Sequence, residues 1–253
     1  MSLIKKLSIK IKQLRLGFHC ALCAQYSQER LCDGCQQFLY SSAQQSYQCC
    51  YCCSLPMPIP PNNGINDAYH HPLKCLCGEC LSYPPSFDRT ISAYIYQAPL
   101  NHLLARFKYQ RQWVIGKLLS DLMCKAITQH CNPEALPDMI TAVPLHWTRQ
   151  WQRGFNQSVF FSEQLSQALH IPIVKTLRCT KATAEQKQLT KQQRLSNVKH
   201  RFTVDTDTFH GKHIAIIDDV MTTGATANSV AQVLKKAGAQ QVSVWVLART
   251  PQW

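Results

Sequence analysis

Four apolar residues in a row, Ile214-Ala215-Ile216-Ile217, precede two adjacent carboxylates, Asp218 and Asp219. An apolar run of this length, with no polar alternation, reads as a strand buried on both faces, as in a parallel sheet. A short loop follows, then a helical pattern from Ala227 to Lys236. Upstream, Phe87 to Tyr96 alternates apolar and polar residues and predicts another strand. Pro99 suits the first turn of a helix whose Leu100, Leu103, Leu104 and Phe107 share a face. A second helix is predicted from Trp113 to about Gln129, with Trp113, Leu118, Leu119, Leu122, Met123, Ala126 and Ile127 inward. Met139 to Val143 reads as a short strand stopped at Pro144, Asn156 to Leu169 as a helix, and Ile171 to Val174 as a strand. Strands alternating with helices predict an α/β fold.

Periodicity fades between Leu177 and Arg201, where charge rises. Lys or Arg stands at 175, 178, 181, 187, 191, 194, 199 and 201 in and just before this stretch, against Glu185 alone. A long basic segment in a compact domain reads as a functional segment, one that folds over a polyphosphate or follows a nucleic-acid backbone. A solvated helix with no ligand is the plain alternative.

The chemistry concentrates where the apolar strand ends. Ligands of open α/β sheets bind at the carboxyl ends of strands. The loop Met221-Thr222-Thr223-Gly224-Ala225-Thr226 opens a helix, whose free N–H groups and positive dipole end suit a phosphate. Asp218 and Asp219 would repel a phosphate but can accept hydrogen bonds from neighbouring hydroxyls, such as a ribose diol. Arg149 and Arg153 follow a second strand end and could face the same crevice with a geometry matched to phosphate oxygens. Lys108 reads as a solvated helix-end cation before it reads as a phosphate ligand. His146 and His170 read as surface or capping residues, with no paired carboxylate or nucleophile beside them.

Eleven of the 14 cysteines lie between Cys20 and Cys80. Four Cys-x-x-Cys pairs are readable there: Cys20/Cys23, Cys32/Cys35, Cys50/Cys53 and Cys77/Cys80. Two such pairs complete a closed, structural four-thiolate zinc site. Pairing first with second and third with fourth is preferred, with an interleaved arrangement open. Cys49/Cys52 is an alternative register for the third pair, and Cys75 is spare. One zinc with leftover thiols, or an iron–sulfur cluster, are the competing readings. No secretory signal is read before the cluster, so reduced thiols and a cytosolic location are expected.

The net charge of +13 favours nucleic acid, anionic lipid or polyphosphate as partners, without choosing among them. Residues 1–18 interleave Lys5, Lys6, Lys10, Lys12 and Arg15 with apolar residues. They form a basic amphipathic segment suited to peripheral contact with the inner face of a membrane. No run is long enough to span a bilayer.

Together these features resemble the ComF family of competence proteins, of the ComFC/GntX type. The strand–Asp218-Asp219–loop segment resembles the 5-phosphoribosyl-1-pyrophosphate (PRPP) motif of type I phosphoribosyltransferases. The cysteine pairs, Phe87-Asp88, Arg149, the run Arg153-Gly154-Phe155-Asn156-Gln157, and Gln186 with Arg194 and Asn197 stand in the family's order. Cys53-Ser54-Leu55-Pro56 resembles the family's usual end to a knuckle, which favours Cys50/Cys53. The resemblance implies a type I phosphoribosyltransferase fold, a mostly parallel sheet flanked by helices, over 86–253, with a zinc-ribbon module over 19–85. It implies ribose binding by Asp218 and Asp219, 5-phosphate binding by Thr222 to Thr226, a pyrophosphate loop at Leu145 to Arg149, and a closing loop around Thr183 to Asn197. Magnesium would accompany PRPP. The implied biology is natural transformation: handling of incoming single-stranded DNA beside the uptake helicase or channel proteins. Active phosphoribosyl transfer to an undefined acceptor is the alternative, because no hood for a nucleobase is recognisable.

Overall fold

The computed structural model describes residues 17–44, 47–58, 75–131, 136–145, 154–179, 202–204 and 209–252. By compactness the chain divides after Gln44. The first unit holds β1 (Phe18–His19), β2 (Tyr26–Ser27) and α1 (Asp33–Gln44), with β1 and β2 paired antiparallel. Its Cys-x-x-Cys turn closes by Ala24 N–H donating to Cys20 O at 2.9 Å, and Ala24 takes a φ of +60°.

The second unit begins with the same device. Strands β3 (Tyr47–Cys49) and β4 (Pro56–Pro58) form an antiparallel hairpin, followed by the short helix α2 (Gly78–Ser82). Ser54 N–H donates to Cys50 O at 2.8 Å, and Ser54 has a φ of +53°. The sequence therefore builds one module twice: a hairpin with a thiol-bearing turn, then a helix with one thiol just before it and one in its first turn.

The rest of the unit runs β5 (Arg89–Ile95), α3 (Leu100–Gln110), α4 (Trp113–His130), β6 (Met139–Ala142), α5 (Gln157–Leu169), β7 (Leu177–Cys179), β8 (Phe202–Val204), β9 (His213–Met221), α6 (Ala225–Lys236) and β10 (Gln241–Arg249). The main sheet has the order β5-β10-β9-β6, and every pairing in it is parallel. With the match to a phosphoribosyltransferase domain given below, this is the α/β fold that the sequence implied.

Two expectations change in detail. The strand over Ile171 to Val174 is a single parallel bridge, Ile173 to Ile140. Strand β10, absent from the sequence analysis, lies in the middle of the sheet, where its run from Val242 to Ala248 is buried on both faces. The apolar run Val244–Ala248 carries the same signal that marks Ile214–Ile217 as a buried strand, and its parallel partners β5 and β9 give it its central place.

Burial follows from parallel pairing, since helices must cover both faces. On one face Ile214, Ile216, Val242, Val244 and Val246 pack with α6, with Leu177 and Phe202 of the β7–β8 hairpin, and with the second cysteine cluster. Helix α4 packs on β5 and β10, and α5 on β9 and β6. Phe107 of α3 is fully buried, with its ring 5.0 Å from Phe155, 5.1 Å from Phe160 and 5.6 Å from Phe161. Gly116 is required beneath it, because a Cβ there would lie 2.5 Å from the Phe107 ring. At the amino edge of the sheet, Asp88 accepts from Val242 N–H at 2.7 Å and pairs with Lys235 at 2.8 Å, tying the start of β10 to the end of α6.

Phe107→Ala is expected to lower the unfolding free energy by about 3–5 kcal/mol, as emptying an aromatic core position does. Urea titration followed by far-ultraviolet circular dichroism measures this.

Candidate functional site

Three strand ends meet at the carboxyl edge of the sheet. Strand β9 brings Asp218 and Asp219 there, and β6 ends beside it, Val143 N–H donating to Ile217 O at 3.0 Å. Asn156 caps α5 by accepting from Ser158 N–H at 2.9 Å. Its amide also donates to Val143 O at 3.0 Å, which fixes the first turn of α5 against β6.

That fixed turn aims Ser158 at the acids. Ser158 Oγ donates to Asp218 Oδ1 at 2.8 Å, and Asp219 N–H donates to the same oxygen at 2.9 Å. Asp219 Oδ2 lies 2.6 Å from Lys108 Nζ, with the two side chains only 13% and 14% exposed. Lys108 is therefore a largely desolvated site residue, not the solvated helix end that the sequence suggested. One signal was available: it stands four residues after Leu104, at the margin of the apolar stripe of α3. The two acids thus differ. One has a cation, and the other has two neutral donors.

The surroundings of Asp218 shift its protonation. Burial, and then the charge of Asp219, raise the Asp218 carboxyl from its ordinary 3.8 to about 7, against the opposing hydrogen bonds from Ser158 and the Asp219 amide. The loop beyond is shaped by Gly224, whose φ is +77° and whose missing Cβ would lie 2.6 Å from Met221 Cε. Gly224 caps α6 without a side chain, and the exposed Thr223 accepts from Ala225 N–H through its Oγ1 at 3.4 Å, beside the exposed Thr222.

Arg249 went unnoticed in the sequence, although it is a lone cation ending an apolar run. It is 3% exposed and opposite Met221 in the sheet register. Its Nε donates to Cys53 O at 2.9 Å, and its Nη1 donates to the carbonyls of Met221 at 3.2 Å, Thr250 at 2.8 Å, and Thr222.

The cysteines gather as two sets, Cys20, Cys23, Cys32 and Cys35, and Cys50, Cys53, Cys77 and Cys80, each with its sulfurs within 4.8 Å of one another. The sulfurs of Cys23 and Cys32 are 3.7 Å apart, as are those of Cys53 and Cys77. A tetrahedral ion with Zn–S bonds of 2.3 Å needs a sulfur–sulfur edge of about 3.8 Å, so both sets fit a structural metal. Backbone N–H groups point at ligand sulfurs in both, Cys32 to Cys20 at 3.4 Å and Cys77 to Cys50 at 3.3 Å. Cys49, Cys52 and Cys75 stand outside the sets. Cys75 accepts from Gln48 at 3.0 Å, and Cys52 points at Phe87 O at 3.7 Å.

Arg149, Arg153, the basic stretch 180–201, Trp147, Trp151 and residues 1–16 lie outside the described residues. Among the described residues, no helix is long and apolar enough to cross a membrane.

The phosphoribosyl transferase domain model matches residues 156–252, from the cap of α5 to the end of β10. Competence protein F of Haemophilus influenzae is 34% identical over 236 residues, covering 91% of this chain and 95% of its own. DNA utilization protein YhgH of Escherichia coli K12 is 38% identical over 177 residues, covering 69% of this chain and 78% of its own. Competence protein ComFC of Bacillus subtilis is 29% identical over 164 residues, covering 63% of each chain.

A carboxyl raised in the folded state contributes stability that is full below its unfolded value and lost as pH rises through the folded one. Asp218 therefore stabilises the fold fully below about 3.8 and stops doing so above about 7. Asp218→Asn is expected to melt about 2–4 °C or more above the unsubstituted protein at pH 8. Calorimetric scans at pH 8 and pH 4 check this, with coinciding melting temperatures expected at pH 4.

Proposed function

The chain belongs to the competence protein F (ComF) family, and from that premise we propose that it handles incoming single-stranded DNA in the cytosol during natural transformation. In this reading the pocket at the end of β9 binds PRPP as a ligand or regulator. The observation that carries the pocket is the pair of adjacent acids at the end of a buried parallel strand, followed at once by a glycine turn into a helix. Asp218 and Asp219 accept from the ribose hydroxyls. Met221, Thr222, Thr223, Gly224, Ala225 and Thr226 receive the 5-phosphate, with Arg149 and Arg153 on the pyrophosphate side. Magnesium travels with PRPP and neutralises the pyrophosphate. Lys108, paired with Asp219 at 2.6 Å, closes the side of the acids that faces α3.

Both four-cysteine sets take structural zinc. Four thiolates close the coordination sphere, which excludes a catalytic water. DNA affinity draws on the net charge of +13 and on exposed aromatic faces. Tyr109 is 70% exposed, and Trp113 is 49% exposed with its inner face against Phe155 at 4.8 Å. DNA-uptake helicase or channel proteins are the expected protein partners, met in the cytosol at the inner face of the membrane through residues 1–18.

A second reading is active phosphoribosyl transfer. It is favoured by Asp218, whose value of about 7 suits a group that accepts a proton from an incoming nucleophile.

Titrating the protein and Asp218→Ala with PRPP and with single-stranded DNA, each at two salt concentrations, tests the first reading. Asp218→Ala is expected to lose PRPP binding and to keep DNA binding, with an affinity that falls steeply with salt. No DNA binding at low salt overturns the DNA-handling role. Pyrophosphate release that Asp218→Ala abolishes establishes turnover.

A further inference from the structure

The four hydrogen bonds of Arg249 join two places that are far apart in sequence. One end holds the carbonyl of Cys53, a thiol of the second four-cysteine set, and the other holds Met221 and Thr222 of the loop. Thr250 N–H adds a second tie to Met221 O at 3.0 Å. All four of these acceptors are neutral carbonyls, so the bonds do not balance the charge of Arg249. A buried charge is tolerated only with compensation.

The link to the second cysteine set is Cys53, which offers its carbonyl to Arg249 and its sulfur to the set. Cys50, Cys53, Cys77 and Cys80 are all buried, in the same core cluster as Met221. A bound ion would tie the four sulfurs to one centre and so fix the Cys53 carbonyl, and without it no bond joins them.

The loop end has its own consequence. In a planar trans peptide the C=O and the following N–H point in opposite directions. Drawing the carbonyls of Met221 and Thr222 onto Arg249 therefore turns the N–H groups of Thr222 and Thr223 away from it. Both residues are exposed.

We propose that Arg249 is a positioning residue that couples metal occupancy of the Cys50/Cys53/Cys77/Cys80 centre to the phosphate-receiving shape of the Met221–Gly224 loop. The loaded centre anchors the guanidinium, and the guanidinium holds the loop with its amides facing outward. Loss of the metal by chelation releases the loop although the acids on β9 stay in place. The phosphate part of this coupling rests on the PRPP reading above. Lysine cannot replace the arginine, because a single ammonium does not reproduce a planar group whose Nε reaches Cys53 O while its Nη1 reaches the loop carbonyls.

Amide hydrogen exchange of the full chain separates the coupling from the ligand. Three samples are compared: the zinc-loaded protein, the same protein after zinc chelation, and zinc-loaded Arg249→Lys with its metal content verified. Exchange at Thr250, whose N–H donates to Met221 O at 3.0 Å, is expected to rise at least about tenfold in the second and third samples, the effect of losing that hydrogen bond, while Ile214–Ile217 stays protected. Exchange at Thr250 equal to the zinc-loaded protein in either sample overturns the coupling. So does a loss of protection that spreads equally to Ile214–Ile217, which would make the metal a folding element of the whole unit.

PRPP titration is the separate arm. If the zinc-loaded protein binds PRPP, Arg249→Lys is expected to bind at least about tenfold more weakly, and equal affinity overturns the proposal. If the zinc-loaded protein does not bind PRPP, the ligand reading above fails, and the exchange result alone decides whether metal and loop are coupled.

Discussion

Parallel hydrogen bonding of β9 to β10 on one side and β6 on the other is the constraint on which the rest of the structure depends. Parallel strands all finish at the same edge, so whatever follows each strand meets there. The register does more than align ends. It sets Arg249 opposite Met221, within reach of the loop carbonyls, and it brings Val143 against Ile217, where Asn156 can hold the first turn of α5. A slip of one residue in β10 would turn Arg249 to the other face of the sheet and leave the loop without its anchor.

The acids at that edge are adjacent in sequence but not equivalent. Asp219 is paired with Lys108, and Asp218 accepts from neutral donors with its value raised to about 7. Lys108 acts on Asp218 as well, but desolvation and the charge of Asp219 outweigh it. The asymmetry arises from helices that approach from different parts of the chain, α3 for Lys108 and α5 for Ser158.

The duplicated thiol module serves two physical ends. In the first unit it ties a short hairpin to a helix where Leu31 and Leu39 are among the few buried apolar side chains. Such a segment needs covalent-strength cross-linking to offset the entropy of ordering. In the second unit the same module packs into an existing core, with Ser54 Oγ donating to Thr90 O at 2.8 Å and Cys53 O accepting from Arg249. There the cluster is a neighbour of the loop as well as a staple.

Sequence alone determined the chemistry that sits within a few residues. Asp218-Asp219 and its glycine turn were legible because strand, acids, turn and helix follow one another without a gap. The four Cys-x-x-Cys pairs were legible because two ligands three residues apart come from one turn. The helices over α3, α4 and α5 were legible from their apolar stripes. Only the tertiary structure decided which distant groups complete the site. Lys108, Ser158 and Arg249 look like ordinary helix and strand residues until the sheet and its covering helices bring them within hydrogen-bond distance of the acids and the loop. Strand β10 carries the same kind of apolar run that made β9 legible, but its place between β5 and β9 is set by partners far away along the chain. Local patterns record what one segment needs for itself, whereas a charge balanced across three segments is recorded in none of them.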